Sequence, residues 1–248
     1  MRVVVEVVPR DREALAGQLD ELAALPRVAA VNTPDLTRFA LRGWQAAIEV
    51  RRAARGRWAA IPHVRAMDVD LRRPWPVLAR LDDAGIDEVL VITGDPPLDM
   101  GYPVTGAHVL DVIRMIRRER PAWRVYAALD PYRAGFAAER EYLQRKLDAG
   151  VEAFFSQPFF DVRLMAVWRD LLPDVHVYWG ITSVTSERTQ RYWLTRNRAV
   201  FPAGFEPTLA WHRAFAAEAV AFAEATGTHL YFMPIRVGIR AWLGEVLG

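Results

Sequence analysis

Runs of β-branched and apolar residues alternate with amphipathic stretches from one end of the chain to the other. Val3–Val8 has no helical period and reads as a buried strand. Leu15, Leu19 and Leu22 then mark one face of a helix. Further strands are predicted at Val28–Asn32, Trp58–His63, Glu88–Thr93, Arg124–Leu129, Ala153–Gln157, His176–Thr182 and His229–Met233. Between them fall helices around Phe39–Arg52, Pro76–Asp83, Val109–Ile116, Ala137–Ala149, Leu164–Leu172, Thr185–Asn197 and Pro207–Thr226. Phe136, Leu143 and Leu147 stripe one of these, and Leu164, Val167, Trp168, Leu171 and Leu172 face inward on the next. Ile239, Trp242, Leu243 and Val246 close the series on a last helix.

Eight strand–helix units in one uninterrupted series imply a parallel sheet. In 248 residues they favour a closed α/β (β/α)8 (TIM) barrel, one domain over 1–248. An open doubly wound sheet is the competitor, but neither GxGxxG nor GxxxxGK occurs.

Composition narrows the function classes. The 52% of hydrophobic residues support a large core. Cysteine is absent, which removes disulfides, thiolate metal sites and cysteine nucleophiles and suits a cytoplasmic protein. The start, Met1-Arg2-Val3-Val4-Val5-Glu6, is short and acidic for a signal peptide, and no apolar run reaches bilayer length. No membrane partner is therefore expected. The 32 basic and 30 acidic residues are scattered along the chain, so no nucleic-acid partner is expected either. The histidines show no HxH or HExxH pattern, so no metal site is expected. Self-association into a homo-oligomer stays open.

In such a barrel the chemistry sits at the C-terminal strand ends. The polar residues there are Glu6, Asn32 and Thr33, His63, Gly94-Asp95, Asp130, Gln157, Thr182 and Ser183, and Arg236. Glu6, inside a valine run, is the sharpest signal: a buried carboxyl stays protonated and can act as a general acid, unless an arginine pairs it. Gly-Asp-Pro-Pro around Asp95 is also a turn sequence. On the predicted helix at 137–149, Glu139, Tyr142 and Lys146 share one face beside Arg145, and Lys146 is the only lysine of the chain. That ribbon is a solvated helix face or a site for a diphosphate-bearing cofactor.

Several stretches, in order, resemble the methylenetetrahydrofolate reductase family. They are Pro62-His63, Leu90-Val91-Ile92-Thr93-Gly94-Asp95-Pro96-Pro97, Leu143-Gln144-Arg145-Lys146-Leu147-Asp148-Ala149-Gly150, and Phe155-Ser156-Gln157-Pro158-Phe159-Phe160-Asp161. The resemblance implies an oxidoreductase that passes hydride from reduced FAD, reloaded by NAD(P)H, to 5,10-methylenetetrahydrofolate. Glu6 is then the general acid and Asp95 supports developing positive charge. Asn32, His63, Thr93, Gly94, Asp95, Leu129, Glu139, Tyr142, Arg145 and Lys146 are the implied cofactor contacts, with the two adjacent cations on the phosphates. Gln157 and Arg236 are the implied substrate contacts. The chain departs from the family pattern at Thr93, Leu129, Tyr142 and Phe232-Met233-Pro234. Two further readings follow from those departures: a flavin-free reductase using NAD(P)H directly, and a pterin- or flavin-binding barrel subunit without its own catalysis.

Overall fold

The computed structural model describes residues 1–96 and 104–248. Pro97, the last residue of the Gly-Asp-Pro-Pro turn, lies outside the described residues.

Eight parallel strands close on themselves in chain order. They are β1 (Val3–Glu6), β2 (Val28–Thr33), β3 (Ala59–Arg65), β4 (Glu88–Ile92), β5 (Arg124–Leu129), β6 (Ala153–Pro158), β7 (His176–Thr182) and β8 (His229–Met233). The helices are α1 (Arg12–Ala23), α2 (Gly43–Ala54), α3 (Val77–Asp83), α4 (Val109–Glu119), α5 (Phe136–Asp148), α6 (Val162–Leu171), α7 (Glu187–Arg196), α8 (Leu209–Thr226) and α9 (Ile239–Leu247). The closed barrel, rather than an open sheet, is the architecture.

The period of two along each strand divides the side chains between two cores. Val3, Val5, Val31, Val89, Val91, Val125, Ala127, Phe154, Val177, Trp179, Leu230 and Phe232 point outward and pack under the helices. Val4, Ala30, Ile61, Leu90, Tyr126, Phe155, Tyr178 and Tyr231 fill the interior. Small residues at Ala30, Ala59 and Ala153 leave room for the large rings. Phe155 stacks on Tyr178 at 4.2 Å between centroids and meets Tyr231 edge-on at 5.1 Å. The interior is therefore packed, and only its ends can hold chemistry.

The N-terminal end is closed by charge. Glu88 is buried and takes both Arg2 (2.6 and 2.8 Å) and Arg124 (2.6 Å), while the Tyr126 hydroxyl donates to it at 2.8 Å. Every acceptor position of that carboxylate is used, which is what allows it to be buried.

Some helix faces differ from the expected ones. The seam of α6 runs through Met165 and Trp168, both fully buried, so Val167 falls on the outer face and is exposed. Phe136 opens α5 at its exposed first position and lies against the Trp168 ring at 5.2 Å instead of joining the core stripe. The second helix starts at Gly43 rather than near Phe39, because Gly43 N donates to the Asp35 carboxylate and Arg42 N donates to the Gln45 side chain.

Candidate functional site at the C-terminal mouth

Two residues beyond the inward-facing Val4, Ala30 and Ile61 come Glu6, Asn32 and His63, so the strand period brings these three to the C-terminal end of the interior. Glu6 ends the first strand, where Glu6 and Asn32 are direct neighbours in the β1–β2 register. The Glu6 carboxyl is crowded by protein on nearly every side yet keeps some accessible surface. Burial raises its pKa to about 7, opposed by a hydrogen bond from the Tyr231 hydroxyl. Its partner is thus a tyrosine from β8 and not an arginine. The same hydroxyl lies 3.1 Å from Asn32 Oδ1, and Asn32 Nδ2 donates to the Ile61 carbonyl at 2.9 Å.

His63 Nε2 is buried without a partner among the described residues. Burial, opposed by the charge of Asp35, lowers the His63 pKa to about 4, so the ring is neutral at pH 7. Thr93 and Asp95 are exposed and Gly94 is partly exposed in the turn after β4.

Gln157 sits in a register shift: Phe155 pairs with Tyr178, but Pro158 pairs with Gly180. The extra residue in β6 is a bulge of the kind that re-aims side chains next to sites. Ser156 Oγ accepts from Gly180 N at 2.7 Å within it. Gly180 is required there, since a Cβ would lie 2.3 Å from the Ser156 carbonyl. Arg236, just past β8, is exposed and has φ +57°, the left-handed region, which bends the chain as it leaves the strand.

The face of α5 carrying Glu139, Tyr142 and Lys146 is not the solvated ribbon that the sequence allows. It turns onto the end of β5 and is sealed. Glu139 is buried, accepts from Asp130 N at 3.2 Å and pairs with Arg133 at 2.5 Å. Lys146 is 3% exposed, donates to the Ala128 carbonyl and lies 4.2 Å from the Tyr142 ring centroid. Burial lowers its pKa to about 8, with Glu139 opposing. Leu129 points outward into the layer beneath the helices and is fully buried. Arg133 and the exposed Arg145 flank Tyr142 at 4.8 and 5.4 Å.

These placements test a flavin against the residues. The mouth end, with its neutral His63 and open Gly94-Asp95 turn, suits a polar heterocycle. The diphosphate end does not fit as the side chains stand: Lys146 and Glu139 have their partners within the protein, and Leu129 has no accessible surface. Two clefts of about 480 and 690 Å³ lie on the outer wall, between α2 and α3 and between α5 and α6, and no mouth residue lines either.

Sequence reasoning missed two parts of this end. Tyr231 reads as a core aromatic in an apolar run, although it shares the inward row with Met233. The ion-pair chain Asp35–Arg42–Asp68–Arg65 joins the loop between β2 and α2 to the end of β3, and its central link, Arg42 to Asp68, spans 26 residues that no local spacing connects.

The closed (β/α)8 barrel gathers Glu6, Asn32 and His63 at its C-terminal mouth, the end at which barrels of this kind hold their chemistry. The family is settled by the sequence itself. Residues 49–189, more than half of the chain, match the model of methylenetetrahydrofolate reductase, and the chain belongs to that family. Solved structures share the fold at low identity. A protein from Clostridium thermocellum, described as uncharacterized and as binding two copies of 5-methyl-5,6,7,8-tetrahydrofolic acid, is 13% identical with a TM-score of 0.64, over 99% of this chain and 93% of that one. Oxaloacetate acetylhydrolase (13% identity, TM-score 0.56, 99% of this chain and 77% of that one) is also similar. So is 2,3-dimethylmalate lyase (12%, 0.57, 99% and 78%). Among the described residues no helix is long and apolar enough to cross a membrane.

Proposed function

We propose that the chain is a reductase acting on 5,10-methylenetetrahydrofolate, with Glu6 as general acid and NAD(P)H as the direct hydride donor. The observation that carries this reading is Glu6 itself: a carboxyl at the C-terminal end of β1, without an arginine partner among the described residues, and protonated up to about pH 7 because burial disfavours its charge. Family membership supplies the reaction class. The Clostridium thermocellum neighbour binds the methylated folate that such a reaction produces, which supports the substrate class.

The chemistry asks little of the protein. Glu6 gives its proton to N10 of the folate as the bond from N10 to the methylene carbon breaks, leaving an iminium at N5. A dihydronicotinamide bound beside it would supply, from C4, the hydride that the methylene carbon takes. The products are 5-methyltetrahydrofolate and NAD(P)+, and the Glu6 carboxylate recovers its proton from solvent. The protein holds the two rings together and supplies an acid of matched pKa. The exposed Asp95 carboxylate faces the positive charge that develops on the pterin, and Gln157 and Arg236 offer hydrogen bonds to the two rings.

Direct transfer is preferred to transfer through FAD because, of the two cations expected on its phosphates, Arg145 alone is exposed, with Lys146 sealed beneath Tyr142. The test is formation of 5-methyltetrahydrofolate from the methylene form with NADH or NADPH, by protein that shows no flavin absorption, with and without added FAD. Product without FAD is expected. Product only with FAD overturns the donor assignment and leaves the acid in place. No product under either condition overturns the reductase reading and leaves a folate-binding barrel.

A further inference from the structure

We propose that Asn32 is a positioning residue that holds Glu6 in its protonated, proton-donating form, acting through the hydroxyl of Tyr231. The proposal rests on the reading of Glu6 as the acid and names how its proton is kept.

Asn32 cannot turn its amide around: the Ile61 carbonyl can only accept, so the NH2 group must face it, at 2.9 Å. Oδ1 therefore faces Tyr231, whose hydroxyl is 3.1 Å away. Tyr231 has a single proton and two acceptors in reach, Asn32 Oδ1 and Glu6 Oε2. When Glu6 is protonated, all partners are satisfied in a row: Glu6 donates to Tyr231, Tyr231 to Asn32, and Asn32 to Ile61. When Glu6 is ionised, Tyr231 must give its proton to the carboxylate, and the fully buried Asn32 Oδ1 is left without a donor among the described residues. The buried amide thus favours the acid form of Glu6 through the hydroxyl that both groups share.

The other groups around Glu6 do not set its charge. His63 on β3 is neutral above pH about 4. Asp35, beyond β2, is paired with Arg42. Asp95 after β4 and Arg236 after β8 are exposed to solvent. Among the described residues, burial raises the Glu6 pKa and the Tyr231 hydroxyl lowers it.

The test titrates the Glu6 side-chain carboxyl by NMR in protein labelled with carbon-13 at glutamate side chains. The resonance is identified by its loss in Glu6→Gln, and no substrate is added. Asn32→Leu and Asn32→Ala remove the competing acceptor and are expected to lower the midpoint by about one pH unit, a tenfold change in the protonated-to-ionised ratio. Tyr231→Phe removes the hydroxyl that opposes burial and is expected to raise it. A merely structural role for Asn32 moves stability and leaves the midpoint where it was. The two Asn32 variants guard against one failing to fold. A midpoint unchanged or raised in a folded Asn32 variant overturns the proposal. Because the titration needs no turnover, shifted midpoints in a protein that never reduces folate would refute the reductase reading alone. Unshifted midpoints in an active enzyme would refute the network alone.

Discussion

The Arg65 guanidinium donates to the backbone carbonyl of Asp95 across 2.7 Å, and so ties the turn after β4 to the end of β3. Its Nε donates at 2.8 Å to Asp68, which also takes Arg42 at 2.9 Å, and Arg42 in turn grips Asp35 after β2. Gly94 has φ +88° and rides over the Arg65 side chain, where a Cβ would approach to 3.1 Å. Only glycine takes that conformation at so close an approach without strain. The loops after β2 and β3 are thus joined by ion pairs, and a hydrogen bond to the Asp95 carbonyl ties the turn after β4 to them.

Arg65→Lys keeps the charge and loses the fork that serves two acceptors at once. We expect KM for the folate to rise about three- to tenfold, as Asp95 loses its fixed position, with stability lower by about 1–3 kcal/mol. Steady-state kinetics beside urea unfolding checks both. An unchanged KM would show that the tie does not serve the site.

The buried Glu88 carboxylate is the keystone of the opposite end. Glu88→Ala leaves Arg2 facing Tyr126 and Tyr178 without its counter-ion. The expected loss is about 3–5 kcal/mol of unfolding free energy, read by denaturant titration, with no change in the Glu6 midpoint.

Gly180→Ala places a methyl group 2.3 Å from the Ser156 carbonyl and 2.9 Å from Met233 Cε. Backbone cannot yield there as a flexible side chain would. We expect a loss of about 2–4 kcal/mol or failure to fold. A fully stable variant would contradict the bulge geometry of β6.

Acid sensitivity follows from three histidines and one glutamate. Burial lowers the pKa of His63, His212 and His229 from 6.5 to about 4. Between those values the unfolded chain binds protons that the folded protein refuses, so each contributes stability that is present above pH 6.5 and lost as pH falls toward 4. Glu6 runs the other way: its pKa is raised from 4.5 to about 7, so its contribution is present below 4.5 and lost as pH rises through 7. Near pH 5.5 the balance, with the partly exposed His229 discounted for solvent screening, is an uptake of between one and two protons on unfolding, a slope of about 2 kcal/mol per pH unit. Glu6→Gln should steepen that slope by about half and make the protein relatively more stable at pH 8. Urea unfolding across pH 4.5–8 tests it; a flatter slope in Glu6→Gln would contradict the raised pKa.

The parts of this molecule legible in its sequence are those with short-range periodicity. Alternation along strands such as Val3–Glu6 places Glu6 inside the barrel, because one residue decides one face. Element order then fixes the closed barrel, and the mouth residues follow from strand ends. Contacts across strands are harder to read. Tyr231 reaches Glu6 because β1 and β8 close the barrel, a pairing 225 residues apart in the chain. On α5 the spacing of Glu139, Tyr142 and Lys146 is legible, yet polarity alone cannot show that this face is buried. Its charges are satisfied by Arg133 and by a β5 carbonyl, and both partners lie outside the helix. Val167 shows the same limit in reverse: an apolar residue near a seam is not in it when Met165 and Trp168 already define the inner line.

The most direct measurement is the single-turnover rate of 5-methyltetrahydrofolate formation with NAD(P)H, in wild type and Glu6→Gln across pH 5.5–9, beside binding of 5-methyltetrahydrofolate to each. Wild type should lose rate above the Glu6 pKa of about 7. Glu6→Gln should fall by about 10²-fold or more at every pH while still binding the product. A Glu6→Gln variant that keeps both the rate and the alkaline limb of wild type would contradict the account.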